Sequence, residues 1–367
     1  MKILFFTSQT GGGHMTVAHA LAEEFKKYGI ESYLPDFFLE ATKKPFCNFP
    51  KNYSQITKDF PFFWGFLWYF TYPSFCYHSL NKIVKFFTPN RLKDFFARYP
   101  DISAIISLHP LLNHFPFECA QRFYKDIKFI IVGIELQKYH TSWFQKEADL
   151  IIYPFSKPYF KNFKEWKNLP AYFGIPLRAE FDLPYDKEKL KEKYGIEKDR
   201  KVVLILGGSE GWGKIEAIVK KLYEERDYFL ICVTGRNLEL YNKLKNNFFE
   251  DRKIKILSYY ERMAEIFALS DVAILKAGSL SLSEAICSQV PILIYHYLYG
   301  QELGNIQFIV QKKLGFYTPT LKELIFYLDR ILLTDLGKKL KENLKRFKGI
   351  NGRERIAQFI YQFLQAH

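Results

Sequence analysis

Strand-length runs that are apolar at every position arrive in two series along this chain, with a polar, Lys-rich interval between them. The first comprises KILFFTS (Lys2–Ser8), ISAIISL (Ile102–Leu108), IKFIIVGIEL (Ile127–Leu136) and LIIYPF (Leu150–Phe155). After Asp186–Lys201 the rhythm restarts with VVLILGG (Val202–Gly208), FLICVTG (Phe229–Gly235), IKILSY (Ile254–Tyr259), VAILKAG (Val272–Gly278) and PILIYHY (Pro291–Tyr297). Strands that are apolar throughout, not alternating, are covered on both faces, which means parallel sheets with helices on either side. Each series opens with a strand and a glycine loop, so the expectation is α/β, two Rossmann-like domains with parallel sheets facing a central cleft. At 367 residues the chain is long enough for two full cores. The expected division is 1–175, 176–345 and a C-terminal helix over 346–367, interrupted near Gly349–Gly352. Ligands in such sheets bind outside the carboxyl ends of the strands.

The first glycine loop is TSQTGGGHMTVAHALAEEF (Thr7–Phe25). Val17, Ala20, Leu21 and Phe25 fall at helical spacing, so Gly11, Gly12 and Gly13 sit where a strand turns into a helix. Glycine there permits positive φ and close approach of a ligand to the main chain. The helix start favours an anion, and His14 beside it carries an imidazole suited to proton transfer near neutral pH. An ordinary tight turn with a polar histidine is the competing reading.

A net charge of +14, shared evenly between the two halves, points to an anionic partner. With no RNA-binding aromatic motif, zinc-finger spacing or basic heptads, nucleic acid is not expected. Cys47, Cys76, Cys119, Cys232 and Cys287 are scattered and read as free thiols of a reducing cytosol. The N-terminus enters strand sequence directly without a signal-peptide pattern, which predicts a cytoplasmic protein. One stretch breaks the rhythm: Phe60–Asn81 carries no Asp, Glu, Lys or Arg and is rich in Phe, Trp and Tyr. Pro61, Gly65 and Pro73 argue against a spanning helix. Flanked by Lys51, Lys58, Lys82, Lys85, Arg91 and Lys93, it reads as a membrane-surface element, with a core-packed aromatic hairpin as the alternative.

Three further loops carry chemistry. GSEGWGK (Gly208–Lys214) nearly spells a P-loop, but Ile215 replaces the hydroxyl that would hold magnesium, leaving a glycine loop able to wrap a diphosphate. In KAGSLSLSEAICSQVP (Lys276–Pro291), Glu284 near a helix start either complements the dipole or accepts both hydroxyls of a ribose. In YGQELGN (Tyr299–Asn305), Gln301, Glu302 and Asn305 are suited to sugar hydroxyls, or simply form an exposed loop.

These segments together resemble the glycosyltransferase family that includes monogalactosyldiacylglycerol synthase, bacterial diacylglycerol glucosyltransferases and, more distantly, MurG. The resemblance runs in order through TGGGHMTVAHAL, SLHPLLNHFP, ELQKYHTSWF, YFGIPLR, LILGGSEGWG, YYERMAEIFALSDVAILKAG and GQELGN. It implies the GT-B fold and inverting transfer of a hexose from a UDP-sugar to diacylglycerol or a related membrane lipid. It also implies His14 as the catalytic base and a donor site formed by Gly13, Arg178, Gly208, Ser209, Gly211, Tyr260, Met263, Gly278, Leu280, Ser281, Glu284, Gln301, Glu302 and Asn305. His109, Glu135, His140 and Trp143 fall on the acceptor side. The UDP-sugar is a co-substrate, and neither a cofactor nor a bound metal is expected. The enzyme would work at an anionic membrane, peripheral on the inner face of the cell membrane. Three positions depart from the family pattern: Gln9 where an acid is usual, Glu135 where Asp is usual, and GSLS (Gly278–Ser281) without its proline. Glucose and galactose both stay open as the transferred sugar. The alternatives are a MurG-like N-acetylglucosaminyltransferase acting on a lipid-linked precursor, a soluble UDP-sugar epimerase, and a non-catalytic nucleotide- or lipid-binding homologue.

Overall fold

The computed structural model describes residues 1–10, 12–44, 46–73, 89–155, 171–211, 213–249, 251–347 and 349–366. Gly11, Trp212, Cys76, Lys82, Lys85 and the end of the aromatic run, 74–81, lie outside the described residues. The chain forms two compact units, one of Met1–Arg178, Leu298–Gly304 and Asn351–His367, the other of Ala179–Tyr297 and Asn305–Ile350.

Unit 1 holds strands β1 (Lys2–Phe6), β2 (Glu31–Tyr33), β3 (Ala104–Ser107), β4 (Lys128–Val132), β5 (Leu150–Tyr153) and β6 (Ala171–Tyr172). They pair parallel in the order β2-β1-β3-β4-β5-β6. The central strands bury nearly every residue, as their unbroken apolar sequences require. The order reverses between β1 and β3, which makes the carboxyl ends of those two strands the place where a ligand fits best. The helix Arg353–Ala366 docks on the helix Gly13–Lys26 through a buried ion pair of Arg353 with Glu24 and a stack of Tyr28 on Tyr361 at 4.7 Å.

Unit 2 holds β7 (Val202–Leu206), β8 (Phe229–Val233), β9 (Ile254–Leu257), β10 (Val272–Lys276), β11 (Ile292–His296) and β12 (Gly315–Tyr317), all parallel, in the order β12-β11-β10-β7-β8-β9. This is the dinucleotide-binding order with its switch point between β7 and β10. Val203, Ile205, Leu230, Ile274 and Leu293 of the strands form one core with Ile218, Leu222, Leu324 and Leu328 of the covering helices.

The first half of the aromatic run forms the second of two successive helices of unit 1, Phe49–Asp59 and Pro61–Thr71. Among the described residues no helix is long and apolar enough to cross a membrane. Gly65 and Trp68 of the second helix are buried, whereas Phe60, Phe63 and Phe66 are 63%, 52% and 61% exposed. The described part of the run thus divides by face. One side is core and the other is an aromatic surface.

Candidate active site

A cavity of about 510 Å³ opens in unit 1 at the switch point of its sheet. His14 at the start of the helix Gly13–Lys26 and His109 just after β3 stand on its floor. Phe49, Trp64, Leu67, Trp68 and Trp143 make its walls apolar. Glu135, His140 and Gln301 also line it, so five of the positions that the resemblance separates into catalytic, donor and acceptor groups share one chamber with His14.

The three histidines differ in how their nitrogens are engaged. His14 Nδ1 lies 2.6 Å from the carbonyl oxygen of Leu108, which can only accept, so Nδ1 carries the proton and Nε2 the lone pair. His109 is the reverse. Its Nδ1 accepts from Leu111 N–H at 3.3 Å, and its Nε2–H donates to Thr10 Oγ1 at 3.0 Å. His140 Nδ1 accepts from Ser142 N–H at 3.1 Å, and its Nε2–H faces Thr71 Oγ1 at 3.3 Å. Of these three, His14 therefore keeps a lone pair that no donor among the described residues engages. Burial lowers its pKa from 6.5 to about 4, partly offset by the Leu108 hydrogen bond, so the imidazole is neutral and able to accept a proton at neutral pH. Burial and the neighbouring His14 hold His109 well below the ordinary histidine value.

His140 and Trp143 also have a structural duty. The His140 ring packs on Trp68 at 4.6 Å, and Thr141 Oγ1 donates to the carbonyl of Tyr72 at 2.7 Å, so this turn anchors the end of the aromatic helix. Gln9, where the family has an acid, has an exposed side chain, while its N–H donates to Asp36 at 2.9 Å. The ring of His14 is oriented instead by a main-chain carbonyl. Glu302 turns back to accept from Leu298 N–H at 2.7 Å. Arg178 is the last residue of unit 1 before Ala179 opens unit 2.

In unit 2 the loops after β7 and β10 meet at the switch point. Gly208, Ser209 and Gly211 follow β7, and Lys276 Cε lies 3.5 Å from where a Cβ on Gly208 would stand. Gly211 has φ +60, and a Cβ on it would fall 2.2 Å from the carbonyl oxygen of Thr234. The Ser209 carbonyl accepts from Arg236 N–H at 2.7 Å, tying the loop to the end of β8. Gly278, Leu280, Ser281 and Glu284 belong to the turn and helix after β10, with Glu284 buried. Asn305 Nδ2 donates to the carbonyl of Ala277 at 3.0 Å and braces that turn. Tyr260 shares a 2.8 Å hydrogen bond with Tyr194 near the end of β9, and Met263 is buried at the next helix start. Lys276 and Arg236 were not singled out from sequence, although the first stands inside a quoted motif. Lys276 reaches Gly208, and the Arg236 guanidinium lies 3.7 Å from Glu210 of the glycine loop.

The solved structures that resemble the chain define its architecture. MurG from Acinetobacter baumannii superimposes with a TM-score of 0.63, covering 98% of this chain and 99% of that one at 12% identity. The glycosyltransferase SnogD from Streptomyces nogalater gives 0.59, covering 98% and 100% at 13% identity. The fold is GT-B. Residues 14–172 match the family model of monogalactosyldiacylglycerol (MGDG) synthase, and residues 202–358 match the glycosyltransferase family 28 C-terminal domain. The probable MGDG synthase of Glycine max is 30% identical over 342 residues, 88% of this chain and 63% of that one. MGDG synthase 1 of Arabidopsis thaliana is 30% identical over 347 residues, with the same coverage. Over most of its length the chain is similar to these two MGDG synthases, and it spans somewhat under two thirds of their length.

Proposed function

We propose that this protein transfers a hexose from a UDP-sugar to the free hydroxyl of diacylglycerol or a related membrane lipid, with inversion at the anomeric carbon. The observation that carries the reading is the unengaged Nε2 of His14 on the floor of an apolar cavity whose wall is an aromatic surface helix. Such a chamber suits an acceptor with one hydroxyl and two acyl chains. His14 Nε2 takes the hydroxyl proton as the oxygen bonds to the anomeric carbon and the bond from that carbon to the diphosphate oxygen breaks. The pair of electrons leaves with UDP. The glycine loop after β7, with Lys276 and Arg236 beside it, supports diphosphate binding in unit 2, and the buried Glu284 supports the ribose contact. The reaction needs no resident cofactor. We place the protein peripherally on an anionic membrane, at the inner face of the cell membrane, in keeping with the exposed aromatic helix and the exposed Lys51, Lys58, Arg91 and Lys93.

The test is incubation with diacylglycerol in phosphatidylglycerol vesicles and UDP-glucose, UDP-galactose or UDP-N-acetylglucosamine in turn, with lipid products read by mass spectrometry. A hexosyl-diacylglycerol names the donor and establishes the reaction. No product on diacylglycerol with any donor, together with transfer of N-acetylglucosamine to a lipid-linked precursor offered in a parallel reaction, moves the assignment to the MurG-like alternative. The donor loop makes its own prediction. Gly211→Ala places a Cβ against the Thr234 carbonyl in a left-handed backbone, at a strain of about 1–3 kcal/mol, so UDP affinity by calorimetry should fall by about tenfold or more.

A further inference from the structure

Tyr53, on the helix Phe49–Asp59, belongs to none of the motifs that mark this chain, yet its phenol is tightly held at the cavity wall. It is buried, with its ring edge-on to Trp64 at 4.9 Å. Its hydroxyl donates to Oε1 of Gln301 at 3.1 Å. Burial raises the phenol far above its ordinary pKa, and the negative potential of Glu302 and Glu135 adds to the shift. The group is therefore always protonated and always able to donate. An amide that accepts through Oε1 keeps both Nε2 protons for other partners. Gln301 lines the cavity, and among the described residues no protein acceptor meets those protons.

The segment that carries Gln301 is itself keyed to the aromatic helix. Gly300 has φ +78, and a Cβ there would fall 2.3 Å from Trp68 Cδ1. Gly65 lies so close to Tyr299 that a Cβ on it would meet the Tyr299 Cβ at 2.7 Å. Phe62 stacks on the Tyr299 ring at 4.8 Å. These contacts fix the path of the main chain, but they leave the amide of Gln301 free to turn about its own side-chain bonds. The Tyr53 hydroxyl removes that freedom.

We infer that Tyr53 is a positioning residue for the transferred hexose: by occupying Oε1 of Gln301 it presents Nε2 as a donor to a hydroxyl oxygen of the sugar. The inference rests on the hexosyl transfer proposed above, and it adds the means by which the sugar is gripped separately from its nucleotide. Without the phenol, the amide turns either end to the cavity, and the sugar loses a pre-set donor.

The experiment compares the full chain with Tyr53→Phe and Gln301→Glu on phosphatidylglycerol vesicles containing diacylglycerol. It measures the KM for the UDP-hexose, the KM for diacylglycerol and the Kd for UDP alone. Tyr53→Phe keeps the ring and loses only the oxygen. Gln301→Glu keeps an acceptor for Tyr53 and loses the donors. Both should raise the KM for the UDP-hexose by about tenfold, the loss of one oriented hydrogen bond. The Kd for UDP should stay within about twofold, and the KM for diacylglycerol should rise less than the KM for the UDP-hexose. An unchanged KM for the UDP-hexose in Tyr53→Phe overturns the inference, as does an equal rise in the Kd for UDP, which would place the effect in the nucleotide site. If the wild-type chain transfers no hexose, the functional reading falls and the inference with it. If it transfers and Tyr53→Phe is indistinguishable from it, the inference falls alone.

Discussion

Replacing His14 by alanine should lower kcat for hexosyl transfer by about 10³-fold, within the range general-base catalysis supplies, while the Kd for UDP stays within about twofold. The asymmetry follows from where the residue stands. His14 belongs to unit 1, whereas the glycine loop that would hold the diphosphate belongs to unit 2. The three histidines at the cavity are not interchangeable. Both nitrogens of His109 and His140 are engaged by the protein, so neither can replace the lost base. The pH profile provides a second reading of the same residue. The base must be unprotonated, so activity is lost as pH falls through its pKa. With that pKa lowered to about 4 by burial, the acid limb of kcat/KM should lie near pH 4, not near the 6.5 of an ordinary imidazole. An acid limb at 6.5 would mean that another group takes the proton. Retention of full turnover by His14→Ala would point to the same conclusion.

The sequence shows the interior of the fold far better than its edges. Runs such as VVLILGG and ISAIISL are legible because a central parallel strand must be apolar on both faces. The edge strands β2, β6 and β12 carry ESY, AY and GFY, too short and too exposed to register as runs. Chain order misleads in another way. Leu298–Gly304 and Asn351–His367 both follow unit 2 strands in sequence, yet both belong to unit 1. What holds the second of them is the Arg353–Glu24 pair, whose partners lie 329 positions apart. No local pattern announces a contact of that kind.

The same limit applies to the candidate site. GGGH is visible because a glycine turn before a helix is a local device. The group that orients His14 is the carbonyl of Leu108, and a carbonyl leaves no mark on residue type. The family pattern places an acid where this chain has Gln9. The structure shows why the substitution is tolerable for the ring's orientation, since Gln9 points to solvent and Leu108 holds Nδ1. Tyr53 leaves no local mark either, because its partner Gln301 is 248 residues away.

Membrane attachment should depend on one face of a helix that is too short to cross a bilayer. Pro61–Thr71 has eleven residues and so rises about 16 Å, roughly half the hydrocarbon thickness. Its buried side is committed to Trp68, Gly65 and the cavity wall. Phe60, Phe63 and Phe66 recur at three-residue spacing along the other side and remain more than half exposed. On the proposed reading, these rings insert at headgroup depth. Replacing all three by serine should remove about 1 kcal/mol of interfacial burial per ring, and so reduce partitioning onto phosphatidylglycerol vesicles by about 10²-fold. None of the three lines the cavity, so the Kd for UDP and the melting temperature should be unchanged. The remaining attachment should come from exposed cations such as Lys51, Lys58, Arg91 and Lys93, and it should weaken as salt rises. Transfer to diacylglycerol in vesicles should fall with the partitioning, while transfer to a short-chain diacylglycerol dissolved as monomer should persist. Equal loss with both acceptors would mean that the rings serve the cavity and not the membrane. Undiminished vesicle binding by the triple variant would show that the aromatic face plays no part in attachment.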